Sequence, residues 1–281
     1  MALNEDTLVQ QTTADYLLNN LHWDDSIYAM DETLGKEGTL GRESEKELVL
    51  SRYLGEALMH LNPGLPAEAY RDAMRQIIDV NLAQSLLAIN QEKDTLYKSG
   101  VLASYRDDKG ERQRKTLRIF DFEQPDNNHF MVVRELWVKG DIYRRRADLV
   151  GFVNGIPLVF MEVKNLHKEV KAAYEQNFSD YKDTVPHLFY HNALVILGNG
   201  VEAKLGSLSS KYEHFNDWKR LEEDEPGVVN METLLKGVCS KTNLLDLFEN
   251  YTIFDDSSGK LIKIVARNHQ LHDLDQLTAG I

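Results

Sequence analysis

RRRADLVGFVNGIPLVFMEVKN, residues 144–165, decides how this chain is read. Two apolar runs, ADLVGFV at 147–153 and IPLVFMEVK at 156–164, meet at Asn154-Gly155, a dipeptide typical of tight hairpin turns. Charges interrupt the hairpin at Asp148, near the start of the first strand, and at Glu162 and Lys164, near the end of the second. Side chains two apart on a strand share a face, so Glu162 and Lys164 point the same way whatever the pairing. Whether Asp148 joins them depends on the turn. A two-residue Asn-Gly turn pairs Val153 with Ile156 and sets Asp148 opposite Met161, on the wrong face. A three-residue loop closing on a left-handed Gly155 with a G1 bulge pairs Phe152 with Ile156 and sets Asp148 opposite Phe160, diagonally next to the glutamate. The sequence thus predicts Gly155 at positive φ and the bulged register, since a one-residue slip would dismantle the trio.

Chemistry has a use for such a trio. Two carboxylates a few ångströms apart resist joint ionisation unless a cation lies between them. Hard oxygen ligands select Mg²⁺ or Mn²⁺, which keep several of their waters. Such an ion lowers the pKa of a bound water and stabilises charge on a phosphate in flight. A lysine beside it orients or deprotonates the attacking water and holds the phosphate. The plainer alternative is a polar hairpin end with a solvent-side Glu–Lys pair, and an E-x-K triplet alone says almost nothing. Here, however, both charges interrupt a strand, Ile156 to Val163, that is otherwise apolar. Buried charges without partners are costly, so Asp148, Glu162 and Lys164 form the candidate catalytic set.

Working outward, the first forty residues show no long period, and TLGKEGTLGRES at 33–44 reads as loop. From about Glu45 the pattern turns helical, with Leu48, Leu50, Tyr53, Leu54, Ala57 and Leu58 as a stripe ended by LNPG. A second helix starts near Pro66, with Tyr70, Met74, Ile77 and Ile78 inward, and a third covers about 82–96. The composition then shifts to strands: TLRIFDF at 116–122 and FMVVRELWV at 130–138 precede the decisive hairpin. After it come a helix with Val170, Ala173, Tyr174, Phe178 and Tyr181 on one side, a strand HNALVIL at 191–197, and a shorter strand VEAKLGSL. Helices resume at about 231–250, and GKLIKIVAR at 259–267 reads as one more strand. This order predicts an α/β domain with a mixed sheet and helices on both faces.

Composition narrows the function classes. With 281 residues, 42% hydrophobic and 27% charged, the chain has material for a sizeable core and is neither disordered nor fibrous. Its longest apolar stretches, such as ALVIL at 193–197, are too short to span a bilayer, and MALNEDTLVQ lacks the charge pattern of a signal peptide. The single cysteine, Cys239, fits a reducing compartment, and the expected location is the cytoplasm. Thirty-two Lys and Arg against 45 Asp and Glu give a formal net charge of −13, which argues against a free-standing protein that grips nucleic acid through a broad basic surface. RQRK at 112–115 and Arg144-Arg145-Arg146 are two basic islands, each most simply a solvated strand end. His187 and His191 have i,i+4 spacing but offer no third ligand, Cys239 sits among Leu234, Leu235 and Val238 as packing, and Gly198-Asn199-Gly200 is a turn.

Asp148, thirteen residues, then Glu162-Val163-Lys164 resembles the PD-(D/E)XK nuclease signature. More narrowly, RADLVGFVNGIPLVFMEVKN is similar to the amino-terminal endonuclease domain of type I restriction enzyme motor (R) subunits. LGRESEKELVLSRYLGEALMHLNP at 40–63, VPHLFYHNALVILGNG at 185–200 and GSLSSKYEHFNDWKR at 206–220 are similar to that family in the same order. LIKIVARNHQ at 261–270 looks like the segment that leads into the helicase motor, and the chain contains no GxxxxGK[ST] phosphate loop. The resemblance implies a restriction-endonuclease-like core over 1–250, with a helical part at about 45–98 and a catalytic core at about 115–210, followed by a 251–281 segment toward a motor absent from the chain. It implies Mg²⁺-dependent (or Mn²⁺-dependent) cleavage of double-stranded DNA, with Asp148, Glu162 and the carbonyl of Val163 on the metal and Lys164 on the water and the phosphate. ATP would enter only through the motor, and modification (methyltransferase) and specificity subunits would be partners. The acidic charge fits a domain fed DNA by a motor rather than one that binds it tightly alone.

Supporting residues follow from the same resemblance. The family carries a Gln-xxx-Tyr motif after the hairpin, where this chain has Gln176-Asn177-Phe178-Ser179-Asp180-Tyr181. On a regular helix Asn177 lies about 40° from Tyr181 and Gln176 about 140° away, so Asn177 takes the motif position as an Asn-for-Gln departure. Tyr181 reads equally as a core aromatic. An acidic residue on the first helix completes such sites; of Glu43 and Glu47, Glu47 is preferred as lying inside the helix, although helix-surface glutamates are commonplace. Arg146, two before Asp148, would meet a phosphate, the plainer alternative being a surface ion pair. Two competing readings are a stand-alone nuclease or repair enzyme of the same superfamily that needs no ATP, and a non-catalytic docking module with a structural charged hairpin.

Overall fold

The 144–165 stretch lies at the centre of a mixed seven-stranded sheet. The computed structural model describes residues 5–219, 221 and 229–267. The chain starts with α1 (Glu5–Asn19), β1 (Asp25–Tyr28), α2 (Ser51–Leu61), α3 (Ala67–Ile78) and α4 (Leu86–Ser99). A separate hairpin of β2 (Val101–Arg106) and β3 (Arg112–Leu117) is followed by β4 (Phe130–Lys139), β5 (Arg144–Val153) and β6 (Ile156–Val163). One helical stretch then runs through α5 (Val170–Ala172), a π-helical turn at Ala173–Phe178 and α6 (Ser179–Thr184). The remainder is β7 (Leu194–Gly198), β8 (Ala203–Gly206), β9 (Asn216–Asp217), α7 (Met231–Cys239), α8 (Lys241–Asn250), and a hairpin of β10 (Thr252–Asp255) and β11 (Ile262–Val265).

The main sheet runs β1-β4-β5-β6-β7-β8-β9, with β1–β4 and β6–β7 parallel and the other neighbours antiparallel. Alternation along its central strands feeds two cores. Met161 and Ile196 join one with Leu17, Leu54 and Leu245, while Phe160 and Val195 join the other with Phe178 and Phe189. The fold is therefore the expected α/β class, a central mixed sheet flanked by helices and restriction-endonuclease-like. No helix among the described residues is long and apolar enough to cross a membrane.

The decisive hairpin reaches the expected outcome by another route. Gly155 has positive φ as expected, but so does Asn154, and Val153 pairs with Ile156, so the turn has two residues rather than three. Asn154 holds its left-handed backbone because its buried amide donates to the Ile119 carbonyl at 2.8 Å and to Asn128 Oδ1 at 2.9 Å, and accepts from the His129 N–H at 2.8 Å. Parity is restored inside the strands. Phe152 pairs with Pro157 but Gly151 pairs with Val159, leaving Leu158 as an extra residue on β6. Pro157 has no N–H to give the ladder. The Leu158 carbonyl turns instead to Ala193 N–H at 2.7 Å and Asn192 Nδ2 at 3.2 Å. Beyond the bulge Leu149 faces Met161, so Asp148 lies across from Glu162 itself rather than Phe160, and on its face. Gly151 admits Trp23 at this point, since a Cβ there would lie 2.8 Å from the indole.

Other boundaries move for tertiary reasons. The helix expected from Glu45 begins at Ser51, because Lys139 N–H binds the Glu45 carbonyl and Leu50 N–H binds Gly155, committing this backbone to other elements while Leu48, Val49 and Leu50 are buried by packing. The expected strand at 116–122 runs instead over 112–117, paired with an unexpected β2. Ile119 and Phe120 are buried in irregular backbone that Asn154 and Asn128 hold through the Ile119 and Asp121 carbonyls. RQRK is on β3 and mostly exposed. The first forty residues contain α1 and β1, and α1 packs through Val9, Ala14 and Leu17 while also burying Gln10 and Thr13, which blurs its apolar stripe. Cys239 is buried, and its carbonyl accepts from Trp23 Nε1. Within the expected 251–281 segment, β10 and β11 form, and residues 268–281 lie outside the described residues.

Candidate active site

Three acidic side chains stand in a row across β4, β5 and β6. Glu135 lies between the Arg134–Leu149 and Leu136–Ala147 pairs, across from Asp148, which in turn is across from Glu162. All three line a cleft of about 470 Å³ with Gln10, Trp137, Arg146, Val163, Lys164, Asn177 and Tyr181. Asp148 Oδ2 accepts the Val163 N–H at 3.0 Å, and Oδ1 accepts Gln10 Nε2 at 3.0 Å. Glu162 is fully buried. Its Oε1 accepts Lys164 Nζ at 3.0 Å, while Oε2 has no hydrogen-bond partner among the described residues. Lys164 Nζ also donates to Asn177 Oδ1 at 2.7 Å, so its ammonium is fixed between β6 and the helical stretch.

Burial governs the electrostatics. It pushes the Asp148 carboxyl up to about 6, although the Val163 N–H and the Lys164 charge pull the other way. It raises Glu162 well above the ordinary carboxylate range, reinforced by the Asp148 charge and only partly opposed by Lys164. Two carboxyls that resist ionising side by side favour the arrival of positive charge.

The helical stretch contributes Asn177 and Tyr181, as expected, and leaves Gln176 exposed to solvent, away from the cleft. Tyr181 packs its ring edge-on against Phe160 at 5.6 Å, as a core aromatic does, and at the edge of the cleft its hydroxyl donates to the Arg146 carbonyl at 2.7 Å. Burial raises its phenol above the ordinary range. Arg146 stands at the cleft mouth in an ion pair with Glu135, 2.5 Å from Nε to Oε2. Glu47 is not brought to the site. It lies in the irregular segment before α2, where its carboxylate accepts the Glu43 N–H at 3.1 Å.

Sequence reasoning missed Gln10, Glu135 and Trp137. Gln10 carries no chemical signature and reaches Asp148 from 138 positions away. Glu135 was findable: like Glu162, it interrupts an apolar strand, FMVVRELWV. It is buried and adopts φ 57, a left-handed conformation uncommon outside glycine.

A mixed sheet covered by helices, with an acidic pair and a lysine converging where β5 begins and β6 ends, defines a restriction-endonuclease-like α/β protein. Residues 2–214 match the family described as type I restriction enzyme R protein N terminus, and the chain belongs to that family. It is 32% identical over 98% of its length to the type I restriction enzyme HindI endonuclease subunit of Haemophilus influenzae, covering 26% of that protein. It is 25% identical over 96% of its length to a Methanocaldococcus jannaschii protein provisionally named type I restriction enzyme MjaIXP endonuclease subunit, covering 27% of it. A third relative, the type I restriction enzyme SsaAORF53P endonuclease subunit of Staphylococcus saprophyticus, is 25% identical over 61% of the chain and is covered over 18% of its own length. The chain spans about a quarter of the length of the relatives it matches almost end to end.

Proposed function

We propose that this chain is the nuclease domain of a type I restriction enzyme R subunit and hydrolyses phosphodiester bonds of double-stranded DNA with the help of Mg²⁺ or Mn²⁺. The observation that carries this reading is the buried Glu162 carboxylate beside Asp148, one oxygen held by Lys164 and the other unpartnered. The donor set fits a hard divalent ion. Gln10 Oε1 is a second buried acceptor of the cleft without a partner, and both carboxyls gain from a neighbouring cation. No three His, Cys, Asp or Glu side chains among the described residues form a cage by themselves. Asp148, Glu162 and the Val163 carbonyl would therefore hold the ion together with water.

A bound divalent ion supplies charge neutralisation at the phosphate and acidifies water. The chain's own residues do the positioning. Lys164, oriented by Glu162 and Asn177, places the attacking water and offsets the negative charge that grows on the phosphate oxygens. Water oxygen bonds to phosphorus, one P–O ester bond breaks, and the departing oxygen takes up a proton. Gln10 and the Val163 N–H keep Asp148 turned into the cleft. In the whole subunit we infer that cutting follows ATP-driven translocation by a motor, in a cytoplasmic complex with modification and specificity subunits that defends against foreign DNA.

Cleavage assays on the R subunit assembled with its partners test this directly. Asp148→Asn and Lys164→Ala should each lower DNA cleavage by about 10²–10³-fold while ATP hydrolysis persists. Cleavage at the wild-type rate in either variant would overturn the assignment. Metal-dependent cutting of linear DNA by this chain alone, without ATP, would point to an ATP-independent nuclease.

A further inference from the structure

We propose that Arg146, Trp137 and Arg144 form a track that holds the sugar–phosphate backbone flanking the scissile bond, and that Glu135 is the latch on that track. This rests on the nuclease reading above and names how the same site takes hold of its DNA. Trp137 pairs with Arg146 across β4 and β5, and Arg144 pairs with Lys139 one step further out. The guanidinium of Arg144 lies 3.8 Å from the centre of the Trp137 ring and that of Arg146 5.5 Å from it. Cation–π contact with one ring restrains both long side chains before any ligand arrives.

Spacing favours a polymer over a single anion. Arg144, Arg146 and Asp148 alternate along β5, so successive members of the row stand about 6.6–6.8 Å apart. The rise of a nucleic acid strand, about 3.4 Å per nucleotide, is measured along the helix axis. The sugar–phosphate path between neighbouring phosphates is longer because it winds about that axis, so each step of the row is close to the spacing of consecutive phosphates. A backbone with its scissile phosphate at Asp148 and Glu162 continues over Arg146 and then Arg144. Beyond them the hairpin tip exposes Ile142 and Tyr143.

Both arginines are engaged by carboxylates. Arg144 makes a two-point contact with Glu45 at 2.6 and 2.7 Å, in a partly exposed pair. The Arg144 side chain is about half exposed, so a phosphate can reach this guanidinium while the contact with Glu45 holds it in place. Arg146 is different, because its partner Glu135 is buried and held at φ 57, and the 2.5 Å contact is not aligned as a directed hydrogen bond. Glu135 thus aims Arg146 at the cleft mouth and opposes its transfer to a phosphate. It is a positioning residue that acts through Arg146.

Duplex binding by this chain in Ca²⁺, followed by fluorescence anisotropy across a salt series, tests the track. Arg144→Gln and Arg146→Gln should each weaken binding and lower the slope of log affinity against log salt by about 0.9. Trp137→Leu, which removes no charge, should weaken binding about 3–10-fold, as loss of an exposed or partly desolvated cation–π contact would. Glu135→Gln should tighten binding, and the gain should vanish in an Arg146→Gln background, which a general charge effect would not produce. Wild-type affinity and slope in both arginine variants would overturn the track, as would failure of the wild type to bind duplex. Calorimetric Mn²⁺ titration of the same proteins separates the two readings. Intact Mn²⁺ uptake with unchanged duplex binding overturns the track alone, whereas no uptake by the wild type even with duplex present overturns the metal site on which it rests.

Discussion

The Asp148 and Glu162 carboxyls sit side by side, with Lys164 bonded to Glu162, and both are drawn toward their neutral forms by burial. This gives the residue scale a pH signature. Between the ordinary aspartate range and about 6, folded Asp148 binds more protons than the unfolded chain does. Its contribution to stability is therefore complete at low pH and is lost as pH rises through about 6. Without divalent ions, the melting temperature of the wild type should fall relative to Asp148→Asn between pH 5 and pH 7.5, and Mn²⁺ should restore it more at the higher pH. A constant difference across that range would show that Asp148 ionises as freely as an exposed carboxylate. Asp148, Glu162 and Lys164 were legible in the sequence because charge in an apolar strand needs a reason. Glu135 sent the same signal, whereas Gln10 sent none, since an amide on a helix with a blurred apolar stripe is recognisable only by what it touches.

At the scale of elements, the site depends on parity between β5 and β6. The sequence showed both strands and the turn dipeptide, and chemistry required Asp148 and Glu162 on one face. Where the odd residue would be absorbed was not legible. It depends on Pro157 lacking an N–H and on Asn192 and Ala193 capturing the Leu158 carbonyl from a segment more than thirty positions away. The start of α2 was hidden in the same way, because Leu50 is claimed by the Gly155 carbonyl. The π-helical turn at Ala173–Phe178 likewise has no local signature, yet Asn177 within it meets Lys164. Asn154 ties the turn to two other loops through Ile119 and Asn128. Asn154→Ala leaves those buried groups unpaired and puts alanine at positive φ, and should cost about 2–4 kcal/mol of unfolding free energy, read by urea denaturation. A loss below about 0.5 kcal/mol, the range of neutral surface changes, would mean that the turn does not hold the register.

Seen as a whole molecule, a net charge of −13 leaves the proposed DNA contact to local cations: Arg144 and Arg146 on β5 and Lys164 just after β6, each paired with a carboxylate that a phosphate would have to displace or share. The layered α/β architecture was legible because strand and helix periods differ over long runs. The separate β2–β3 hairpin was not, since its exposed basic face reads like a loop. The C-terminal hairpin is tied to this body by Lys263, buried on β11, whose ammonium donates to the Asn192 carbonyl at 2.7 Å and to Asn90 Oδ1 at 3.1 Å. Asn192 is also the residue that holds the β6 bulge, so the last described strand and the register that sets Asp148 across from Glu162 share a partner. Everything proposed for this body rests on a divalent ion binding between Asp148 and Glu162. The most direct measurement is calorimetric titration of Mn²⁺ into the wild-type chain and into Glu162→Ala, with and without a short duplex. The account predicts uptake by the wild type that the substitution abolishes. Equal uptake by both proteins, or none by the wild type even with duplex present, would contradict it.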